Sequence, residues 1–469
     1  MSTKPLSGSE LEDIKLMAQK HFWPHAKPAG DVSEETGLKT ITKGEGVWLF
    51  DENEQPWYDT TSCLWLVNLG HGRTDIADAA YDQMKEVSFT PMGSFSPPTA
   101  KLSGKIASYA PDSESRVFFV SGGAEANETA LKMARKFHIN NGEGTRYKVI
   151  SRRNSYHGAT YATMSLGGGT RPPFEFEPLM PGSVKIANYD SYRLGFGAKS
   201  EEQASEEYAK DLERAILGHN PSTISAFIAE PILASGGVIV PPTGYHAACL
   251  EVCRRYDVIY ISDEVVTGFG RLGEWFSSES VFDITPDIIT CAKGLTSGYV
   301  PLGAVLISDR LISNVGGDSE RGAVFSNGFT YSGHPVSCAA ALANMDIIEG
   351  EGLLEHAREV GPYLQQQLST LMNLPIVGNV RGLGLMGCVE CVVDHESRQP
   401  LMLDYEVGNR IDVHCQKLGL LVRPLINMCV MSPPIIIDHE QIDELIRALR
   451  LGIERTIDDL KKEGVAGGL

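Results

Sequence analysis

The sequence has no apolar run that reaches the roughly 18 residues needed to span a bilayer. Its first residues, MSTKPLSGSELEDIK, lack the apolar core of a secretory signal. Positive charge is also scarce: 41 Lys and Arg against 60 Asp and Glu leave a net charge of −19, which repels nucleic acid and anionic membranes. The 42% hydrophobic and 22% charged residues are typical of a globular protein. We therefore expect a large acidic cytoplasmic protein that binds neither nucleic acid nor membrane.

Disulfide and metal motifs are also lacking. An odd number of scattered cysteines indicates reduced thiols. Cys388 and Cys391 have the spacing of a redox or zinc motif, but no second pair accompanies them, and their Cys-Val-Glu-Cys-Val-Val run alternates like a strand. The histidines show no HExxH pattern. The sequence therefore predicts no metal site. The nine cysteines are Cys63, Cys249, Cys253, Cys291, Cys338, Cys388, Cys391, Cys415 and Cys429.

The sequence does contain an amphipathic helix pattern near each end. Between them, short apolar runs alternate with helical patterns. Ser9 and Glu12 have capping-box spacing before an apolar stripe at Leu11, Ile14, Ala18 and Phe22. Asp438 is a predicted cap for a helix with an apolar face over 442–457. In the centre, helical patterns alternate with apolar runs of the kind that form parallel strands covered on both faces. The sequence thus predicts an α/β fold. The runs are Val117–Val120, Tyr147–Ile150, Ala226–Ala229, Val258–Ile261, Ile288–Cys291 and Ala304–Ile307.

Polar residues follow four of these runs. They are the Ser121-Gly122-Gly123 turn, Glu230, Asp263 and Lys293. Ligands of open parallel sheets bind at the carboxyl ends of the strands. We therefore expect these four groups to meet at one edge of the sheet.

The pattern from Ser121 to Glu128 predicts a turn that leads from a strand into a helix. Small residues at Gly122, Gly123 and Ala124 leave the first helix amides accessible, and the helix dipole favours an anion there. A phosphate suits this position. A tight turn without any ligand is the alternative.

Asp263 and Lys293 add an acid and an amine to this edge. A carboxylate beside an aromatic cation is held ionised by charge pairing, and a desolvated lysine becomes available as a nucleophile. With a phosphate-binding turn, the two describe a pyridoxal phosphate site. A structural Asp–Lys salt bridge is the alternative, but it does not account for the glycines that flank both residues.

Eight motifs give the sequence a close resemblance to the fold-type I, class III (omega) aminotransferases over nearly the whole chain. It is most similar to the omega-amino acid and amine:pyruvate subgroup. The motifs occur in the order and spacing of that family. They are LWLVNLGHGR (64–73), VSGGAEANETALKMAR (120–135), NSYHGAT (154–160), AEPILASGGVIVPPTGY (229–245), ISDEVVTGFGRLG (261–273), CAKGLTSGYVPLGA (291–304), FSNGFTYSGHPVSCAAALA (325–343) and VRGLGLM (380–386).

The resemblance implies the architecture. A large domain over 76–335 holds a mostly parallel central sheet flanked by helices. A smaller α+β domain is built from both chain ends, 1–75 and 336–469. The family also implies a homodimer with shared active sites, and pairing of two dimers into a tetramer remains open.

The resemblance also assigns roles around pyridoxal phosphate. Lys293 is implied to form the Schiff base and to act as the later general acid and base, and Asp263 to pair with the ring nitrogen. Glu230 is expected as a second acid near the ring.

Four further groups are implied to hold the cofactor. The amides of Gly123 and Ala124 bind its phosphate, although the family often has a hydroxyl residue where this chain has Ala124. Tyr156 and Val265 cover the two ring faces. Thr330 is expected to reach the phosphate of the neighbouring subunit.

Two positions, in addition to Tyr156, are implied to contact the substrates. Arg423 matches the arginine that pairs with the carboxylate of the keto acid, since a guanidinium suits a carboxylate bidentately. Trp65 matches the aromatic that walls the substrate channel. We expect an amine or omega-amino acid as donor and a keto acid, pyruvate before others, as acceptor. The donor itself stays open among taurine, β-alanine, polyamines and xenobiotic amines.

Rival functions remain beside transamination with pyruvate. A 2-oxoglutarate-dependent aminotransferase, an aminomutase and a decarboxylating aminotransferase share the family pattern. Gly382-Leu-Gly384-Leu-Met-Gly387 formally matches the dinucleotide motif of an NAD-dependent oxidoreductase, but a strand-like run follows it where that motif needs a helix. An aminotransferase-like transcription regulator would need a basic helix-turn-helix segment, and the sequence contains none.

Overall fold

A computed structural model of the protein describes residues 8–26, 28–29, 39–168, 173–316, 324–401 and 406–465. The helices are α1 Gly8–His21, α2 Ser62–Trp65, α3 Thr74–Glu86, α4 Pro97–Ser108, α5 Gly123–Asn140, α6 Tyr161–Leu166, α7 Glu201–Gly218, α8 Tyr245–Arg255, α9 Ser277–Ser280, α10 Asp309–Val315, α11 Pro335–Gly350, α12 Leu353–Ser369, α13 Val407–Gln416 and α14 His439–Lys462. The strands are β1 Ile41–Glu45, β2 Trp48–Asp51, β3 Pro56–Asp59, β4 Arg116–Val120, β5 Lys148–Arg152, β6 Ser183–Ile186, β7 Ile224–Ala229, β8 Ile259–Asp263, β9 Ile288–Cys291, β10 Gly303–Ile307, β11 Val377–Leu383, β12 Met386–Cys391, β13 Leu420–Leu421, β14 Arg423–Leu425 and β15 Met428–Met431.

Seven strands form the central sheet, in the order β4-β10-β9-β8-β7-β5-β6. The neighbours from β6 through β9 run parallel, whereas β10 runs antiparallel to both β9 and β4. The expected mostly parallel sheet is confirmed, but the expectation that Ala304–Ile307 is a parallel strand is wrong. The chain returns from β9 to β10 with only a short 3-10 turn at Lys293–Leu295, and a parallel return requires a longer crossover, usually a helix.

The middle of this sheet is buried on both faces. Every residue of β7, β8, β9 and β10 is buried. Helix α5 packs Ala126, Ala130 and Ala134 against one face, and α7 and α8 contribute to the core on another part of the sheet. These contacts explain why the strands read as continuous apolar runs instead of alternating ones.

The chain ends build two smaller sheets. One has the order β1-β2-β3-β13 and the other β11-β12-β15-β14. The parallel pairing of β13 with β3 joins residues 420–421 to residues 58–59. This arrangement accords with a smaller unit built from both ends, while the boundaries at 76 and 335 stay a prediction.

The two terminal helices differ in burial. Helix α14 begins after Asp438, which forms a capping box with Gln441, and its predicted apolar face is buried. Helix α1 forms in the predicted region, but it already includes Gly8, so Ser9 lies inside the helix and not at its cap, and none of its residues is buried against the described part of the chain. Ile14 and Phe22, in the predicted apolar stripe, are exposed. Periodicity therefore predicted this helix correctly without predicting a buried face.

The formal dinucleotide motif lies in an antiparallel hairpin. Gly382 is in β11 and Gly387 in β12, and the two residues pair directly. No helix start is available to bind a pyrophosphate at this turn, so the pattern is coincidental. Cys388 and Cys391 lie in β12, and all nine cysteines, each within the described residues, are free. No described helix is both long and apolar enough to cross a membrane.

Candidate active site

Seven of the predicted site residues line one cavity of about 210 Å³. The sheet explains their convergence, because Glu230 follows β7, Asp263 ends β8 and Lys293 follows β9, all at the same edge. The start of α5, after β4, closes one end of the cavity. The seven residues are Gly123, Ala124, Tyr156, Glu230, Asp263, Val265 and Lys293.

The helix start at Gly123 is closely packed. A Cβ atom on Gly123 would lie 2.9 Å from Cγ1 of Val265. Gly158, at φ +139°, passes so near the same turn that an added Cβ would lie 2.7 Å from the Cβ of Ala124. Only small residues therefore fit here. Gly123 and Ala124 begin the helix and line the cavity, at a position where helix amides can bind an anion.

Asp263 is buried and held by three donors. Its Oδ2 accepts hydrogen bonds from Nδ2 of Asn127 at 2.8 Å and Nδ1 of His157 at 2.7 Å. Its Oδ1 accepts one from the amide of Val265 at 3.2 Å. Asn127 is fixed in turn, since it donates to the carbonyl of His157 and accepts from Thr290. The carboxylate thus has one orientation at the cavity wall.

Asn127 and His157 are site residues that the sequence analysis missed. Asn127 lies one helical turn after Gly123 and therefore shares its face of α5, which is a signal that the spacing contained. His157 directly follows Tyr156, but no local pattern indicates that its ring reaches Asp263, 106 residues away.

Glu230 connects two parts of the cavity wall. Its Oε1 accepts from the amide of Tyr156 at 3.0 Å, and its Oε2 accepts from the amide of Ala234 at 3.3 Å. Burial raises the pKa of Glu230, and the Asp263 carboxylate adds to this effect. The residue therefore positions Tyr156 and the Ala234–Val238 turn in addition to standing near the predicted ring site.

Lys293 projects from a strained turn into the cavity. Its backbone has φ +46°, and Nδ2 of Asn344 donates to the carbonyls of Gly294 and Leu295 to hold the turn. Burial lowers the pKa of Lys293 to about 8, against the opposing effect of the Asp263 and Glu230 carboxylates. A substantial fraction of this amine is neutral near physiological pH, as a nucleophile requires.

A second cavity of about 380 Å³ adjoins the first and shares Tyr156, Ser235 and Lys293 with it. It contains all three predicted substrate residues, Trp65, Arg423 and the shared Tyr156. Ser235 is a wall residue that the sequence analysis missed, because nothing in its local pattern separates it from other turn residues. The apolar part of the wall is formed by Leu64, Trp65, Leu425, Ile426 and Met428.

Thr330 is the one predicted cofactor residue that the structure does not bring to this site. It is exposed and lines neither cavity of its own chain. Its predicted role toward a neighbouring subunit stays a prediction.

The first cavity fits pyridoxal phosphate. It offers an amine for the aldehyde, a fixed carboxylate for the ring nitrogen, helix amides for the phosphate and Val265 for a ring face. Nε2 of His157 is also buried there without a hydrogen-bond partner among the described residues. The roles of the individual residues remain predictions, but their chemistry and placement suit the group.

Known proteins resemble the chain along nearly its whole length. The model of the family "Aminotransferase class-III" matches residues 29–453. The putrescine–pyruvate aminotransferase of Pseudomonas aeruginosa is 39% identical over 458 residues, which cover 96% of this chain and 98% of that protein. An (S)-enantioselective omega-transaminase from Thermomicrobium roseum has a TM-score of 0.90 at 38% identity, covering 97% of this chain and all of its own. A PMP-bound aminotransferase from Vibrio fluvialis has a TM-score of 0.90 at 34% identity, with the same coverage.

Proposed function

The chain belongs to the class III aminotransferases and is a pyridoxal phosphate-dependent enzyme, and from that premise we propose that it moves an amino group from a terminal amine or omega-amino acid to pyruvate. The reaction has ping-pong kinetics, with one substrate leaving before the other binds. The observation that carries this proposal is the placement of Arg423 and Lys293 in one cavity with largely apolar walls.

The residues of the first cavity supply the parts that transamination needs. Bound pyridoxal phosphate contributes an aldehyde and an electron-withdrawing ring that together carry the amino group between the two half-reactions. Lys293 provides the amine that binds the aldehyde and the base that moves a proton. Asp263, oriented by Asn127 and His157, holds a proton on the ring nitrogen. The amides at the start of α5 bind the phosphate.

The second cavity suits a keto acid with one carboxylate. Among its described lining residues, Arg423 is the one guanidinium, and a guanidinium pairs with a carboxylate through two parallel hydrogen bonds. 2-Oxoglutarate carries two carboxylates, and the described lining offers no second guanidinium to pair with the other one. This favours pyruvate, the acceptor in the name of the Pseudomonas aeruginosa relative.

The same cavity suits an amine with an apolar or extended body. Trp65 and Met428 face the space beside Lys293. A donor whose amine is terminal can place that group at Lys293 while its body contacts these side chains. A polyamine agrees with the name of the same relative.

We also propose that two chains share their sites in a cytoplasmic homodimer. Thr330 is exposed in its own chain, which leaves it available to a partner's cofactor phosphate. The nine free cysteines suit a reducing compartment. Sedimentation of wild-type protein tests the dimer, and cell fractionation tests the compartment.

Substitutions and a substrate panel test the proposal together. Lys293→Ala should abolish turnover while cofactor still binds non-covalently. Arg423→Ala should raise the KM for pyruvate roughly 30- to 100-fold through loss of a charge-assisted pair, with little change in the KM for a donor amine that has no carboxylate. Arg447→Ala, at a side chain that is 74% exposed, is the matched control. Full activity of the Lys293 variant, or preference for 2-oxoglutarate over pyruvate, would overturn the assignment.

A further inference from the structure

Three potential metal ligands of different chemistry lie together beside the substrate cavity. They are Asp59, at the end of β3, Cys63, in α2, and His71, just before α3. Nε2 of His71 lies 3.0 Å from Oδ2 of Asp59 and 4.0 Å from Sγ of Cys63. The three ligand atoms all lie within 4.8 Å of one another. The proposed transamination uses none of these side chains.

The backbone at Cys63 is unusual for its residue type. Its φ of +57° and ψ of −76° belong to a region that favours glycine. A non-glycine residue held in such a conformation is a feature that often accompanies a functional site. Cys63 is also the exposed member of the nine cysteines, whereas the other eight are buried. A strained turn thus presents one accessible thiol beside an imidazole and a carboxylate.

The carboxylate is already oriented toward this point. Oδ1 of Asp59 accepts from the amide and hydroxyl of Thr61, and both carboxylate oxygens accept from the amide of Cys63. Oδ2 faces Nε2 of His71, so a proton on Nε2 lies between the two groups. Partners of this kind fix ligand orientation in metal sites.

We propose that Asp59, Cys63 and His71 bind Zn²⁺ through oxygen, sulfur and nitrogen, with a fourth position open to water. Bonds of about 2.0–2.3 Å in a tetrahedral zinc site separate ligand atoms by roughly 3.3–3.8 Å. Nε2 of His71 lies within about 0.3 Å of this range from both Oδ2 of Asp59, at 3.0 Å, and Sγ of Cys63, at 4.0 Å. The ion takes the place of the proton between His71 and Asp59. A thiolate and an imidazole select zinc over magnesium or calcium.

Zinc at this site acts on the substrate cavity. Leu64 and Trp65 directly follow Cys63 and form part of the cavity wall. An ion that joins Cys63 to His71 restrains this turn and therefore the position of Trp65. Lys293 and Asp263 are not ligands, so the cofactor stays bound when zinc binds.

The first experiment measures metal binding by the holoenzyme. Protein treated with a chelator is dialysed against Zn²⁺, and bound metal per chain is counted by elemental analysis. Co²⁺ then replaces Zn²⁺, and its visible absorption reports tetrahedral thiolate ligation. Wild type should bind one ion per chain and show this absorption. Binding of no ion, or cobalt absorption without thiolate character, overturns the proposal.

Two variants distinguish zinc bound at this site from zinc bound elsewhere on the protein. Cys63→Gly removes the sulfur ligand and suits the positive φ, so the variant should fold, keep its cofactor absorbance and lose the stoichiometric ion. Asp257→Asn is the matched control, because Asp257 belongs to a second cluster, with His138 and Glu143, that has no sulfur. This control should bind zinc as wild type does. Retention of the ion by Cys63→Gly, or its loss in Asp257→Asn, contradicts the assignment.

Discussion

Arg381→Lys tests whether one buried guanidinium holds the wall of the substrate cavity. Nε of Arg381 donates to the carbonyl of Gly237 at 2.8 Å, and Nη1 donates to Glu390 at 2.6 Å and to Asn379 at 3.0 Å. Nη2 contacts the sulfur of Met428 at 3.1 Å. The side chain therefore links the turn beside Gly236 to the sheet of the chain ends.

The expected loss of stability follows from these contacts. A lysine amine can keep the ion pair with Glu390 but cannot also reach Gly237 and Asn379. The carbonyl of Gly237 is then buried without its donor, which costs about 1–3 kcal/mol, and the second lost bond adds about 1 kcal/mol. We expect the free energy of unfolding to fall by about 2–4 kcal/mol, measured by urea denaturation of the holoenzyme.

The expected effect on catalysis separates positioning from general destabilisation. Displacement of the turn and of Met428 should cost the donor about 1 kcal/mol of binding free energy, or roughly fivefold in KM. Cofactor absorbance should not change, because the described contacts of Arg381 include neither Lys293 nor Asp263.

Arg358→Lys is the control for both measurements. Arg358 also donates to a backbone carbonyl and to carboxylates, but its side chain is 44% exposed, whereas that of Arg381 is 8% exposed. Solvent replaces lost bonds at such a site, so the control should lose less than about 1 kcal/mol. Equal losses in the two variants, or an unchanged KM in Arg381→Lys, would refute the reasoning.

Three further predictions concern two residues of the cofactor cavity, Gly123 and Lys293, and the buried carboxylate of Glu264 next to Asp263. Gly123→Ala should weaken pyridoxal phosphate binding about tenfold or more, because the new methyl group meets Val265 at 2.9 Å; titration of cofactor-free protein checks this, and unchanged affinity would contradict it. Glu264→Gln should lower the free energy of unfolding by about 3 kcal/mol, because both oxygens of the buried carboxylate accept hydrogen bonds from the amides and hydroxyls of Ser277 and Ser278, and the NH₂ group of glutamine cannot accept. Urea denaturation measures this loss, and wild-type stability would refute the prediction. The pKa of Lys293 is lowered to about 8 from an ordinary 10.5. At pH values between about 8 and 10.5, the folded cofactor-free protein therefore binds fewer protons than the unfolded chain. Its stability should therefore rise with pH across this window, by up to about 1.4 kcal/mol per pH unit, and this gain is lost as pH falls through about 8. A Lys293→Met variant should lack this rise in stability. Parallel stability–pH profiles for the variant and the wild type would contradict the prediction.

The sequence predicted the location of the site because its signals are local. Asp263 and Lys293 each stand at the end of an apolar run, and parallel strands bring such ends together. The direction of β10 was predicted wrongly, because an apolar run has the same composition in either direction. The burial of α1 could not be predicted either, since a periodic apolar stripe specifies a helix face and not what packs against it.

The partners of the site residues lay beyond any local signal. His157 follows a predicted residue, yet only the sheet order brings its ring within 2.7 Å of Asp263. Trp65 and Arg423 share a cavity although they come from opposite ends of the chain. Arg381 reaches Gly237 across 144 residues.

The sequence by itself determined the residue chemistry, the apolar runs that form the central strands, the last helix with its cap at Asp438, and the resemblance to one enzyme family. Each of these depends on interactions within a few positions of the chain, or on motifs that are read directly. The tertiary structure alone decided which groups orient Asp263, what encloses the substrate cavity, and that Asp59, Cys63 and His71 form a cluster. Those outcomes depend on the order of strands and the packing of distant elements, and a one-dimensional pattern does not record distances between them.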